Sequence, residues 1–110
     1  MGATYLAHCP CGYKQNVTVG GNMINYEQES LFPFYCKKCG LVEINICQKR
    51  IRCPSCASAR VYAYGSKKVS PNDIGDREVS WQQYSAGSSS HLCPSCKQHR
   101  LCFTLSWLFD

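Results

Sequence analysis

Cys36-Lys-Lys-Cys39-Gly-Leu-Val-Glu-Ile-Asn-Ile-Cys-Gln-Lys-Arg-Ile-Arg-Cys53-Pro-Ser-Cys56 decides the reading of this chain. A Cys-x-x-Cys turn stands at each end, joined by an alternating apolar segment and the basic run Lys49, Arg50 and Arg52. Residues three apart on a turn can present two thiolates to one metal ion, so each turn reads as half of a four-sulfur site. Two further pairs lie outward, Cys9-Pro-Cys11 on one side and Cys93-Pro-Ser-Cys96 on the other.

Ten cysteines in 110 residues are an excess that needs a cause. A chain this short buries little apolar surface, and disulfides or metals commonly make up the shortfall. The cysteines come in close pairs, which suits a shared ion and which a disulfide framework does not require. Met-Gly-Ala-Thr-Tyr-Leu-Ala-His at the start has neither a basic n-region nor a long apolar run, so no secretory leader is expected. The expected protein is reduced, cytoplasmic and zinc-binding. No apolar run approaches the length needed to span a bilayer as a helix.

The formal charge of +5 counts cysteine as neutral. Metal binding deprotonates the ligands, so each zinc with four thiolates carries about −2, and two sites would leave the fold near +1. Bulk charge therefore argues little about partners, and the placement of basic residues has to carry that argument.

Along the chain, Val17-Thr-Val19 reads as a strand that Gly20-Gly21-Asn22 ends. Residues 23–30 are polar. Phe32-Pro-Phe34-Tyr35 leads into the second knuckle, and Val42, Ile44 and Ile46 alternate with Glu43 and Asn45 as in a half-buried strand. Cys53-Pro-Ser-Cys56-Ala-Ser-Ala-Arg60-Val resembles Cys93-Pro-Ser-Cys96-Lys-Gln-His-Arg100-Leu at matching offsets, an internal repeat. Leu101, Phe103, Leu105, Trp107 and Phe109 recur at a spacing of two and predict a C-terminal strand. Between these lies a polar insert, 65–92, expected to be an extended loop with a hairpin near Val79 to Tyr84 and a mobile serine tract at 85–90. No amphipathic helix is expected.

The predicted fold is small, all-β and metal-stabilised: two consecutive ribbon units, 1–48 and 49–110. The eight expected ligands are Cys9, Cys11, Cys36, Cys39, Cys53, Cys56, Cys93 and Cys96, holding two zinc ions. Sequential pairing would join Cys9 and Cys11 to Cys36 and Cys39, and Cys53 and Cys56 to Cys93 and Cys96. A cross-braced alternative would join the first pair to the third and the second to the fourth; the preference for neighbouring elements to pair favours the sequential one. His8 is a substitute ligand beside the short Cys9-Pro-Cys11 turn, and His91 and His99 are expected near the fourth knuckle or at the surface. Cys47 and Cys102 are left over, and an unpaired cysteine commonly packs as a small hydrophobe.

The Cys-Pro-x-Cys and Cys-x-x-Cys-Gly knuckles resemble those of the zinc-ribbon and rubredoxin-like families, in which they sit on β-hairpins. Two departures stand out: Cys9-Pro-Cys11 lacks one spacer residue, and Ala57 and Lys97 occupy positions where glycine is common. The resemblance implies an architecture and structural metal sites. It also leaves open a rubredoxin-like iron electron carrier, since four thiolates suit iron as well.

Catalysis is not expected. A catalytic zinc keeps an open position, often with histidine or carboxylate ligands, and eight paired cysteines would close both sites. The expected role is a non-catalytic adaptor contacting nucleic acid or a protein complex associated with it, with no membrane and no small-molecule substrate. Lys37, Lys38, Lys49, Arg50, Arg52, Arg60, Lys67 and Lys68 could neutralise phosphates, while Lys37, Lys38, Arg52 and Lys97, within or beside knuckles, could instead simply offset the anionic zinc–thiolate clusters. Tyr62, Tyr64, Trp81, Tyr84 and Trp107 could stack bases or simply pack as core. The competing expectation is a protein partner added along an exposed strand edge.

Overall fold

The computed structural model describes residues 2–21, 27–71 and 79–109, the last of these by its backbone. Eight strands and no helix occur among them: β1 (Gly2–His8), β2 (Lys14–Gly20), β3 (Leu31–Cys36), β4 (Gly40–Asn45), β5 (Val61–Ala63), β6 (Val79–Trp81), β7 (Tyr84–Ala86) and β8 (Cys102–Phe109). The expected all-β class holds, and every strand pair is antiparallel.

The main sheet runs β4-β3-β2-β1-β8, with β5 added to β3. Its centre is thin, because a single residue pair, Gly20 with Leu31, joins β2 to β3. On either side stand two three-stranded units of the same design. In each, the first strand of a hairpin lies in the middle. Its hairpin partner lies on one flank, and the strand that follows a Cys-Pro-Ser-Cys turn lies on the other. The inner unit is β4-β3-β5, one continuous stretch of chain. The outer unit is β2-β1-β8, built from the two ends of the chain and holding the inner unit as an insertion.

Alternation in the sequence explains β1, where Ala3, Tyr5 and Ala7 point into the core while their neighbours are half-exposed. In β3 five consecutive residues, Phe32–Cys36, are buried, because strands flank it and the β6–β7 hairpin covers it. Pro33 also sets the length of β5. Its carbonyl accepts from the Tyr64 amide at 3.2 Å, but it has no N–H to return, so the ladder ends at Ala63.

The insert 65–92 is far more structured than its composition suggests; its residues 72–78 lie outside the described ones. The expected hairpin is present as β6–β7, turning through Gln82 at a φ of 55°. Val69, Val79 and Ala86 are buried. The Tyr84 ring stacks on Phe32 with centroids 5.3 Å apart and meets the edge of Phe34 at 5.4 Å. The serine tract is tied down rather than free: Ala86 closes β7, Gly87 is buried, and the Ser88 carbonyl accepts from the Phe103 amide. Apolar partners in the two ribbons, invisible in the insert's own sequence, account for the difference.

Tyr64, His91 and Phe103 cluster where the inner unit meets β8, Tyr64 T-shaped against each of the others and His91 tilted on Phe103, with centroids 4.9–5.8 Å apart. The Tyr64 hydroxyl donates to the Leu92 carbonyl at 2.8 Å, and burial pushes its pKa upward. His91 is fully buried, neither at the surface nor beside a sulfur as a ligand. Its Nε2 faces the Gly87 carbonyl at 2.7 Å and must donate there. Its Nδ1 then accepts from the Ser70 hydroxyl at 2.6 Å, while Ser70 Oγ accepts from the Gly65 amide at 3.0 Å.

β8 is an edge strand. Its register slips between Thr4 and Tyr5, which face Trp107 and Leu105 and leave Ser106 as the extra residue of a bulge. Around this slip the strand shows apolar side chains to solvent: Leu105 is 50% exposed, Trp107 66% and Leu108 72%.

Candidate metal centres

All eight expected ligands converge into two groups of four. Cys9, Cys11, Cys93 and Cys96 form one; Cys36, Cys39, Cys53 and Cys56 form the other. Within each group the sulfurs lie within 4.8 Å of one another. Neither the sequential nor the cross-braced pairing occurs. Each group draws on both of the stretches 1–48 and 49–110, so the expected division of ligands between those halves is corrected.

Strand pairing is the physical cause. The first knuckle hangs from the end of β1, where His8 pairs with Cys102 of β8, and β8 follows the fourth knuckle directly. The second knuckle hangs from the end of β3, where Cys36 pairs with Val61 of β5, and β5 follows the third knuckle. Each ladder carries its two knuckles to the same end. The repeat between the 53 and 93 turns therefore marks equivalent parts of two units, not two halves of one site.

The knuckles are built alike. The Ala57 amide donates to the Cys53 carbonyl at 2.9 Å, and the Lys97 amide donates to the Cys93 carbonyl at 3.0 Å. The Cys53 amide donates to the Ser58 carbonyl at 3.0 Å, and the Cys93 amide to Gln98 at 2.9 Å. Gly12 and Gly40 turn the two first knuckles at φ of 104° and 84°. Gly40 also lies against the fourth knuckle: a Cβ there would stand 3.1 Å from Pro94 Cβ. The two groups are thus neighbours across a Gly40–Pro94 contact.

Sulfur separations fit a tetrahedral ion. Cys9 Sγ lies 3.6 Å from Cys96 Sγ, Cys11 Sγ 3.7 Å from Cys93 Sγ, and Cys36 Sγ 3.6 Å from Cys56 Sγ. Metal–sulfur bonds of ≈ 2.3 Å at tetrahedral angles place sulfurs about 3.8 Å apart. None of the ten cysteines is joined in a disulfide. Each group could hold one metal ion and, filled, would offer it four sulfurs.

Within each group, some thiols are pushed up and others drawn down. Burial, reinforced by neighbouring thiols, pushes Cys9 up to about 12, and the Cys53 and Cys56 thiols push Cys39 up to about 12. The Tyr13 amide draws Cys11 down to about 7. Burial works against Cys53, but the amides of Cys56 and Ser55 and the neighbouring thiols outweigh it and bring it to about 7. Burial also raises Cys93. A cation removes this conflict by favouring four thiolates at once.

No family model, curated protein or solved structure matches this chain. The geometry therefore carries the functional reading unaided.

Other expected residues fall outside the two groups. His8 Nε2 faces Thr104 Oγ1 at 2.7 Å, and His99 is exposed. Cys102 is half-buried with its thiol toward the Arg100 carbonyl, and Cys47, also half-buried, sits in the turn after β4 rather than within a strand. Among the aromatics, Tyr64 belongs to the core, the half-buried Tyr84 packs against it, and Trp81 packs over Gly20, where a Cβ would stand 2.8 Å from the ring. Tyr13 stands two residues after Cys11 and Tyr35 immediately before Cys36, so both rings lie beside the cysteine groups.

Proposed function

We propose that the protein is a non-catalytic module whose fold is held by two structural zinc ions, and that it docks on nucleic acid or a nucleic-acid-associated complex. The observation that carries the zinc reading is the pair of four-sulfur groups with tetrahedral spacing. Four thiolates fill a zinc ion's shell and leave no position for a reacting water, which supports a structural role over a catalytic one. Such sites need a reducing setting, in keeping with the cytoplasm. Nucleic acid as partner is supported by the exposed lysines at the knuckles, Lys37, Lys38 and Lys97, of which Lys37 and Lys97 line one cavity with the half-buried Tyr62.

The test is native mass spectrometry with metal analysis under reducing conditions, followed by binding of labelled nucleic acid across a salt series. Two zinc ions and an affinity that falls steeply with salt are expected. Iron in both groups would shift the reading to an electron carrier, and disulfides without metal would overturn it. A second reading, a protein partner along β8, rests on the exposed Leu105, Trp107 and Leu108 of that edge strand. Binding insensitive to salt would favour it.

A further inference from the structure

Two cavities adjoin between the metal groups. The first, about 470 Å³, has Tyr35 and Tyr62 as walls and Lys37, Lys68 and Lys97 at its rim. The second, about 400 Å³, is lined by Tyr13, Lys37, Lys38, Pro94 and Lys97 among others. They share Lys37 and Lys97; neither lining contains a carboxylate, and the second includes the candidate metal ligand Cys39, whose charge its three lysines outnumber. The arrangement exists only because the ribbons are nested: it brings Lys37 of the second knuckle and Lys97 of the fourth to a common border beside the Gly40–Pro94 contact.

The cations are held by the aromatic walls. Lys97 Nζ donates to the Tyr35 hydroxyl at 3.1 Å and stands 5.4 Å from the centre of that ring. Lys68 Nζ stands 6.0 Å from the centre of the Tyr62 ring. Lys97 is thus engaged by a phenol rather than a thiolate, and Lys68 belongs to no knuckle. Both are placed to meet an anion in the cleft.

We infer that this cleft binds single-stranded nucleic acid, one nucleotide to each cavity. The phosphate between the two nucleotides sits between Lys37 and Lys97, and the bases lie against Tyr62 and Tyr13. The inference rests on the nucleic-acid reading above and gives it a place and a strand type. A groove with cations along it and an aromatic face for each base holds single strands without sequence readout. A duplex keeps its bases stacked inside and cannot offer them to two recessed tyrosines.

The test uses the metal-loaded full chain and fluorescence anisotropy with labelled oligo(dT), oligo(U) and a blunt duplex of equal length. Both single strands are expected to bind roughly tenfold or more tighter than the duplex. Tyr62→Ala should weaken them by roughly tenfold, while Tyr62→Phe, which keeps the ring, should not. Lys37→Ala combined with Lys68→Ala should weaken binding and flatten the salt dependence by about 0.7 in log–log slope per lost phosphate contact. Lys49→Ala with Arg50→Ala lies outside the cleft and should bind as the parent does. Metal content checks that each variant is folded, and the exposed lysine pair decides the matter if Tyr62→Ala loses its metal.

No binding of any nucleic acid by the parent chain would remove both this inference and the reading beneath it. Binding that the cleft substitutions leave unchanged, that Lys49 and Arg50 govern instead, or that the duplex matches would overturn the cleft alone.

Discussion

Ala57 and Lys97 share one backbone conformation, with φ of 61° and 62°, each donating its amide to the first cysteine of its knuckle. An L-residue in this left-handed region costs roughly 1–2 kcal/mol. Glycine would adopt it without that cost, although it loses more freedom on folding. Ala57→Gly and Lys97→Gly are therefore each expected to stabilise the metal-loaded protein by up to about 1 kcal/mol, read as a rise of a few degrees in melting temperature. A fall in both variants would show that the side chains contribute more than the strain they cause.

Nesting makes the two metal groups unequal. The sulfur contact from Cys36 to Cys56 spans 20 residues of chain, and that from Cys9 to Cys96 spans 87. Closing the longer loop costs about 1 kcal/mol more. The outer unit also packs on the inner one where Phe103 of β8 meets the Tyr64 ring, just past β5. Cys96→Ser is accordingly expected to keep one metal ion, in the inner group, whereas Cys56→Ser should deplete both. Native mass spectrometry of the two variants decides this: loss of one ion from each would mean that the units fold independently, and loss of both from each that neither stands without the other.

How much of this was legible beforehand follows from how far apart the interacting residues lie. The strand at Leu101 to Phe109, the Val79 hairpin and all eight ligands rest on local spacing, and local spacing is what a sequence displays directly. Pairing of the knuckles depends on β1 lying beside β8, a contact between the two ends of the chain, and nothing in either knuckle encodes it. Composition misled in the insert for a similar reason: Val69, Val79 and Ala86 are sparse there but meet a dense partner surface elsewhere. The glycine-like positions Ala57 and Lys97 were visible as departures, and the structure shows that they keep glycine's conformation without being glycine.

Of Gly12, Gly20, Gly40 and Gly65, Gly65 is the least able to accept a side chain. Its φ is 101°, and a Cβ would stand 2.0 Å from the Ser85 carbonyl oxygen, which is backbone and cannot swing aside. Its amide also donates to Ser70 Oγ, the group that in turn meets His91. Gly65→Ala must therefore move the β6–β7 hairpin off the core, with an expected loss of several kcal/mol from strain and broken packing. Thermal melts and near-ultraviolet circular dichroism of the aromatic cluster would report it. A native-like melt would show that the turn relaxes without disturbing the hairpin.

Acid should strip the metal, and the thiol pKa values set where. Metal binding needs thiolates, so protons compete, and the stability supplied by the ion is present at high pH and lost as pH falls. Cys9 and Cys39, raised to about 12, must give up protons to the ion throughout the neutral range. Cys11 and Cys53, lowered to about 7, are already thiolates above neutrality and begin to take up protons below it. The fall in metal affinity with decreasing pH should therefore steepen below about 7 in both groups. Competition with a chromogenic chelator across a pH series measures the slope, and a slope that stays constant through neutrality would show that Cys11 and Cys53 are not the early thiolates of their groups.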